Sequence, residues 1–263
     1  MIVRIVTVMQ DIGIATFLML LWKDTYGPET IPPDPAPIAV QNTPEAQAPS
    51  HPDAEPWRRW PRPPGGFVDL GCGNGLLTHI LISEGYAGYG FDLRARTSWA
   101  HYPQATQLHL LVRALDPTAP TRIFQTKQHH QQNPDPTYNG DDNSHSCVED
   151  PDVLLPAGCF LIGNHADELT PWIPALATRH LASGYLSIPC CAWSFDARFD
   201  RARDVPVCAV DTESLNLGGE SSSSSYALYR VWLAALSVLC GWAVEVEMLR
   251  IPSTRNWAIV GEF

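Results

Sequence analysis

Positive charge is scarce in this chain. Its 263 residues carry 17 Lys and Arg against 28 Asp and Glu, a formal net charge of −11. Proteins that hold nucleic acid by bulk electrostatics show a basic excess, so any contact with a polyanion must rest on a local basic cluster. Paired cysteines are missing too. The seven cysteines (Cys72, Cys147, Cys159, Cys190, Cys191, Cys208 and Cys240) include no CxxC and no Cys/His spacing of the zinc type, so no bound metal is expected. Most of them fall in apolar runs such as CFLIG, IPCCAW and VLCGW, where a reduced thiol packs as a small hydrophobe. A reducing, intracellular compartment is the expectation that follows.

A long apolar run is also lacking. Arg4, Gln10 and Asp11 interrupt the N-terminus and leave Ile12 to Trp22, eleven residues, uninterrupted. About twenty are needed to cross a bilayer. No small-residue cleavage site follows. DIGIATFLMLLW therefore reads as a buried helix with Asp11 near its start, and no membrane attachment is expected.

Three stretches lack the material of a core. Residues 28–64 hold twelve of the 24 prolines, which remove backbone donors and fix φ, so regular structure is not expected there. Residues 117–151 are polar and nearly without aliphatics, and 211–225 end in five serines. The organisation predicted is an N-terminal helix over 1–27, a flexible linker over 28–64, and one domain over 65–263 that carries inserts at 117–151 and 211–225.

What remains alternates between strand and helix. Phe67 to Leu70 is a short apolar strand, Leu76 to Glu84 has helical spacing, and Tyr86 to Leu93 is a second strand ending at Asp92. This β-α-β unit requires a parallel sheet. Further strands are expected at 158–163 and 184–191, helices at 167–181 and 226–239, and a closing hairpin of 244–249 with 257–260. The hairpin places an antiparallel strand at the end of the sheet.

Between first strand and first helix stands Asp69-Leu70-Gly71-Cys72-Gly73-Asn74-Gly75, a DxGxGxG turn where a ligand can approach bare backbone. Dinucleotide binders prefer GxGxxG, whose third glycine would fall at Leu76. An acid at Asp69 would also repel a pyrophosphate and suits an ammonium group. Both departures favour S-adenosylmethionine, with Asp92 placed to accept from the ribose hydroxyls. The candidate cofactor residues are Asp69, Gly71, Cys72, Gly73, Asn74, Gly75, Asp92 and Asn164.

The loop after the fourth strand would choose the acceptor. Amino-methylating enzymes of this fold commonly carry [N/D/S]PP[F/Y] there; this chain has Asn164-His165-Ala166-Asp167-Glu168. Acid–base side chains suit a hydroxyl that must lose a proton. Asn164, His165 and Asp167 are the candidate catalytic residues. A plainer alternative makes Asp167 a helix cap and His165 a packed loop residue.

FVDLGCGNGLLTHILISEGYAGYGFDLRARTSW, LIGNHADELTPWIPALA, IPCCAWSFDARF and LRIPSTRNWAIVG together resemble the tRNA(Ser) uracil-2′-O-methyltransferase family, as does the upstream DIGIATFLMLLWKDTYG. The resemblance implies a class I, Rossmann-like S-adenosylmethionine-dependent methyltransferase. Its methyl acceptor would be the 2′-hydroxyl of uridine 44 in serine tRNA, in the cytoplasm. It also implies that Asp69, Gly71, Gly73, Gly75 and Asp92 hold the cofactor and that Asn164, His165 and Asp167 sit beside the transferred methyl. Cys190 and Cys191, ending the fifth strand, are expected to be packing or pocket-wall residues. Phosphate contacts are expected from Arg94, Arg96, Arg198, Arg201 and Arg203, with base stacking from the segment Trp57-Arg58-Arg59-Trp60-Pro61-Arg62. The alternatives are a methyltransferase acting on a protein or small molecule, favoured by the acidic charge, and a non-catalytic cofactor- or partner-binding module. Whether a helper protein is needed stays open.

Overall fold

The computed structural model describes residues 2–27, 55–119, 154–200 and 224–262. Seven strands form one sheet: β1 (Phe67–Leu70), β2 (Gly88–Asp92), β3 (Leu110–Val112), β4 (Phe160–Asn164), β5 (Gly184–Ile188), β6 (Ala243–Met248) and β7 (Trp257–Glu262). Their spatial order is β3-β2-β1-β4-β5-β7-β6. β7 alone runs against its neighbours: it pairs antiparallel with both β5 and β6, and every other pairing is parallel. The order of the strands reverses at β1 and β4, the place where an α/β sheet opens a crevice at its carboxyl edge.

Side chains alternate across the sheet as the strand period demands. Phe67, Phe160, Ile162, Leu186 and Ile188 pack toward α1 (Ile2–Thr25) and α2 (Leu76–Ser83). Val68, Leu161 and Tyr185 face α4 (Ile173–Arg179), while Val246 and Ile259 face α5 (Ser225–Leu239). The α5 helix starts where the Ser224 hydroxyl accepts from Ala227 N–H at 3.1 Å, an ordinary N-cap. A short α3 (Gln104–Gln107) precedes β3.

α1 lies within the 1–27 expected for the first helix but starts well before Asp11, which was expected near its start. It runs 24 residues, so Gln10 and Asp11 do not break it, and by length and composition alone it could cross a membrane. One face lies on the sheet instead. Ile14, Leu18 and Trp22 are fully buried, and Trp22 packs edge-on to Phe160 with ring centroids 5.4 Å apart and 5.1 Å from Tyr86. Burying Ile14 and Leu18 contributes about 1.5–3 kcal/mol each. Gly13 lets the helix approach closely, since a Cβ there would stand 2.7 Å from Ile251.

The last part of the proline-rich linker is also ordered. Pro56–Arg59 forms a 3₁₀ turn; Trp57 donates to Glu84 at 2.8 Å, and the Arg62 guanidinium lies 4.8 Å from the Tyr86 ring centroid. Trp57 and Trp60 pack against the α1–α2 core. The two indoles, expected to stack on bases, are half-buried and line an apolar groove between α1 and α2, while Arg58 and Arg59 are exposed. Residues 28–54, 120–153 and 201–223, which contain most of the expected linker and inserts, lie outside the described residues.

Candidate active site

A cavity of about 690 Å³ opens at the carboxyl ends of β1, β2 and β4. Gly71 and Gly73 form its floor with φ of 68° and 53°, and a Cβ on either would meet nothing closer than 3.9 Å. The space over them is open, as a ligand lying on bare backbone requires. Gly75 (φ 79°) has a different reason: a Cβ there would stand 2.9 Å from Leu110.

Partners around the turn fix its shape. Asp92 accepts the Gly73 N–H at 3.0 Å, and Trp99 donates to the Gly73 carbonyl at 2.9 Å. Asn74 accepts from Leu76 N–H at 2.8 Å, a side-chain turn that leads into α2. Cys72 lines the cavity as a protonated thiol, pushed far above its usual range by burial. Asp69 accepts from Thr78 at 2.8 Å; burial raises its carboxyl to about 7, opposed by the Thr78 bond.

Two residues that the sequence analysis left out of the site come from α1. Asp11 accepts from the Asn164 amide at 3.4 Å, and burial pushes its carboxyl up to about 6. The Gln10 amide lies 2.7 Å from His165 Nε2. Their one sequence signal was a polar pair inside an apolar run, the very interruption that argued against a membrane span.

At the other end of the cavity, His165 and Asp167 hold left-handed backbone conformations (φ 57° and 45°). Such strain in non-glycine residues costs on the order of 1–3 kcal/mol each and clusters at functional sites. Burial lowers the His165 pKa, against the pull of nearby Asp167, so the imidazole is neutral near pH 7. Its Nδ1 is buried with no partner among the described residues. Asp167 is exposed and is not a side-chain cap of the helix that follows; its carboxylate accepts from the Cys190 thiol at 3.2 Å.

Asp167, Cys190 and Cys191 bring three possible metal-ligand atoms within 4.8 Å of one another, a grouping invisible in the linear spacing. Burial, reinforced by Asp167, pushes the Cys190 thiol up to about 12, which makes it a hydrogen-bond donor. Trp172 and the exposed Phe195 complete this end, edge to face at 4.6 Å between centroids.

The arginines divide. Arg94 is exposed just past β2. Arg96 turns inward, with its guanidinium 3.5 Å from both Asp92 oxygens. Arg198 lies over the Trp193 ring at 4.1 Å. Arg201 and Arg203 lie outside the described residues.

A 3-2-1-4-5-7-6 sheet with one reversed strand, a glycine turn after β1 and an acid ending β2 defines a class I S-adenosylmethionine-dependent methyltransferase. The family model for a predicted AdoMet-dependent methyltransferase matches residues 58–117, the segment that builds this turn. A tRNA (uracil-O(2)-)-methyltransferase of Schizosaccharomyces pombe is 37% identical over 97% of this chain and 41% of its own length. Those of Neurospora crassa and Saccharomyces cerevisiae are 36% and 33% identical over 97% of this chain, and 40% and 41% of theirs. The chain belongs to this tRNA (uracil-O(2)-)-methyltransferase family and spans about two-fifths of the length of these relatives. No solved structure matches.

The residues present fit the family's cofactor, S-adenosyl-L-methionine. Open glycine backbone, the Asp92 carboxylate and two carboxylates at the β1 end offer acceptors and no competing side chain over the floor.

Proposed function

We propose that the chain methylates the 2′-hydroxyl of uridine 44 in serine tRNA, using S-adenosylmethionine, in the cytoplasm. One observation carries this reading: Asp69, the glycine floor and Asp92 share a single cavity with Asn164, His165 and Asp167. The names of the relatives supply the acceptor class.

The cofactor, when bound, supplies a methyl group on a cationic sulfur. The chain must hold the acceptor oxygen about 3 Å from that carbon, in line with the leaving sulfur. A ribose hydroxyl is a weak acid, so a base that takes its proton contributes about 10²- to 10⁴-fold. We assign that role to Asp167, whose carboxylate is exposed at the cavity wall and steadied by Cys190. His165 has Nε2 against Gln10 and Nδ1 buried, so it shapes the loop rather than taking the proton. Arg94 and Arg198, with Arg201 and Arg203, are the proposed phosphate contacts; Arg96 serves the cofactor end.

The test is tritiated S-adenosylmethionine with serine tRNA, followed by nucleoside analysis. 2′-O-methyluridine at position 44 is expected. Methyl transfer to a protein or small molecule but to no RNA overturns the substrate, and near-normal turnover in Asp167→Ala overturns the base.

A further inference from the structure

The charge inside the cavity does not balance. Asp11 and Asp69 are 6% and 2% exposed, and among the described residues no Lys, Arg or His nitrogen lies within ion-pair distance of either. Their hydrogen-bond partners are neutral: Asn164 and Asn74 for Asp11, and Thr78 for Asp69. The Arg96 guanidinium is spent on Asp92. A buried carboxylate without a counter-charge is costly, and two facing one cavity compound the cost, the charge of Asp11 raising the proton affinity of Asp69.

Asn164 sharpens what is missing. Its amide nitrogen donates to Asp11, and its buried Oδ1 has no partner among the described residues. Two carboxylates and one amide oxygen therefore gather at the β1–β4 crevice as acceptors in want of donors. S-adenosylmethionine has two cationic centres. Its sulfonium has no hydrogen to donate, whereas an ammonium has three.

We infer that Asp11, carried into the cavity by α1, binds the cofactor's α-ammonium group together with Asp69 and Asn164 Oδ1. This inference rests on the cofactor reading and adds to it. The N-terminal helix becomes part of the cofactor site, and the ligand adds an ionic bond to the two hydrogen bonds that already tie α1 to the carboxyl end of β4. Burial, which holds Asp11 near 6, means that the incoming ammonium meets a carboxylate already largely ionised at pH 7.5.

The experiment is a cycle of two proteins and two ligands, read by calorimetric titration at pH 7.5. The proteins are the wild-type chain and Asp11→Asn, which is isosteric and can still accept from Asn164. The ligands are S-adenosylhomocysteine, which keeps the ammonium and lacks the sulfonium charge, and its analogue lacking only the amino group. Hydrogen bonds to charged groups are worth about 1.5–3 kcal/mol, or roughly ten- to a hundredfold. Wild-type protein is expected to prefer S-adenosylhomocysteine by that factor, and Asp11→Asn is expected to lose most of the preference while binding the des-amino analogue as before.

Equal wild-type affinity for the two ligands overturns the inference without any variant. So does an undiminished preference in Asp11→Asn. If Asp11→Asn weakens S-adenosylmethionine but not S-adenosylhomocysteine, the partner is the sulfonium, and the assignment is wrong. Wild-type protein that binds neither ligand, nor S-adenosylmethionine, overturns the cofactor reading itself.

Discussion

Gln10 and His165, 155 positions apart in the chain, meet with the Gln10 amide 2.7 Å from the imidazole Nε2. One end of the imidazole is thereby fixed by α1, while its Nδ1 is buried. Two elements remote in sequence share control of a ring held neutral by burial.

Replacing Gln10 by Ala releases that ring. Turnover of tRNA is expected to fall about tenfold, in line with the loss of one hydrogen bond, with cofactor affinity nearly unchanged. Single-turnover rates and cofactor titration on the same preparation check this. A loss of cofactor affinity equal to the loss of turnover would remove the distinction between Gln10 and Asp11.

The ligand-free protein is expected to lose stability as pH rises from about 4 to 7. Burial raises the carboxyls of Asp11 to about 6 and Asp69 to about 7, so the folded state holds protons that the unfolded chain releases near 4. Their stabilising effect is complete below pH 4 and is lost as pH climbs through the folded values. The loss is on the order of a few kcal/mol for the pair. Denaturant melts at pH 5 and 7.5 measure it, and saturating S-adenosylhomocysteine is expected to narrow the gap.

Trp22 anchors α1 on the sheet against Phe67, Tyr86 and Phe160. Trp22→Ala should cost about 3–5 kcal/mol. Because α1 carries Gln10 and Asp11, cofactor affinity should fall in protein that remains folded. Unchanged affinity after a lowered melting point would separate the helix's packing from its part in the site.

Binding of tRNA should weaken steeply between 50 and 200 mM salt if the arginine rim contacts phosphates, as estimated for other phosphate-binding surfaces at about one unit of slope per contact. Arg94→Ala is expected to lower that slope by about one and leave cofactor binding alone. Arg96→Ala should disturb cofactor binding instead, since its guanidinium faces Asp92. A salt-independent affinity would exclude the rim.

Local patterns were legible, and non-local ones were not. Phe67–Leu70 is the strand expected from four apolar-rich residues before a glycine turn, and the closing hairpin appears as β6 and β7. Asp69, Gly71, Gly73 and Asp92 converge because a β-α-β unit brings them together within two dozen positions. Gln10 and Asp11 reach the site only because Trp22, Leu18 and Ile14 seat their helix on the sheet, and nothing local encodes that docking. The packing of Trp57 and Trp60 was hidden for the same reason: aromatic–arginine patterning looks identical on a free surface and along an apolar groove. Cys190 and Asp167 meet because the ends of β4 and β5 are neighbours, a pairing that spacing along the chain conceals.

The reversed strand sets an order of assembly. β7 follows every other described strand in sequence, yet it lies inside the sheet, with β5 on one side and β6 on the other. Until Trp257–Glu262 has been synthesised, β6 has no neighbour to join and β5 presents an open edge, the kind of surface that invites wrong partners. Thr25, closing α1, donates to Glu262 at 2.7 Å, so the first helix and the last strand are latched together. The strand that completes the sheet's interior is thus supplied after the strand on its outer flank, so β5, β6 and the end of α1 all wait on one segment for their pairing.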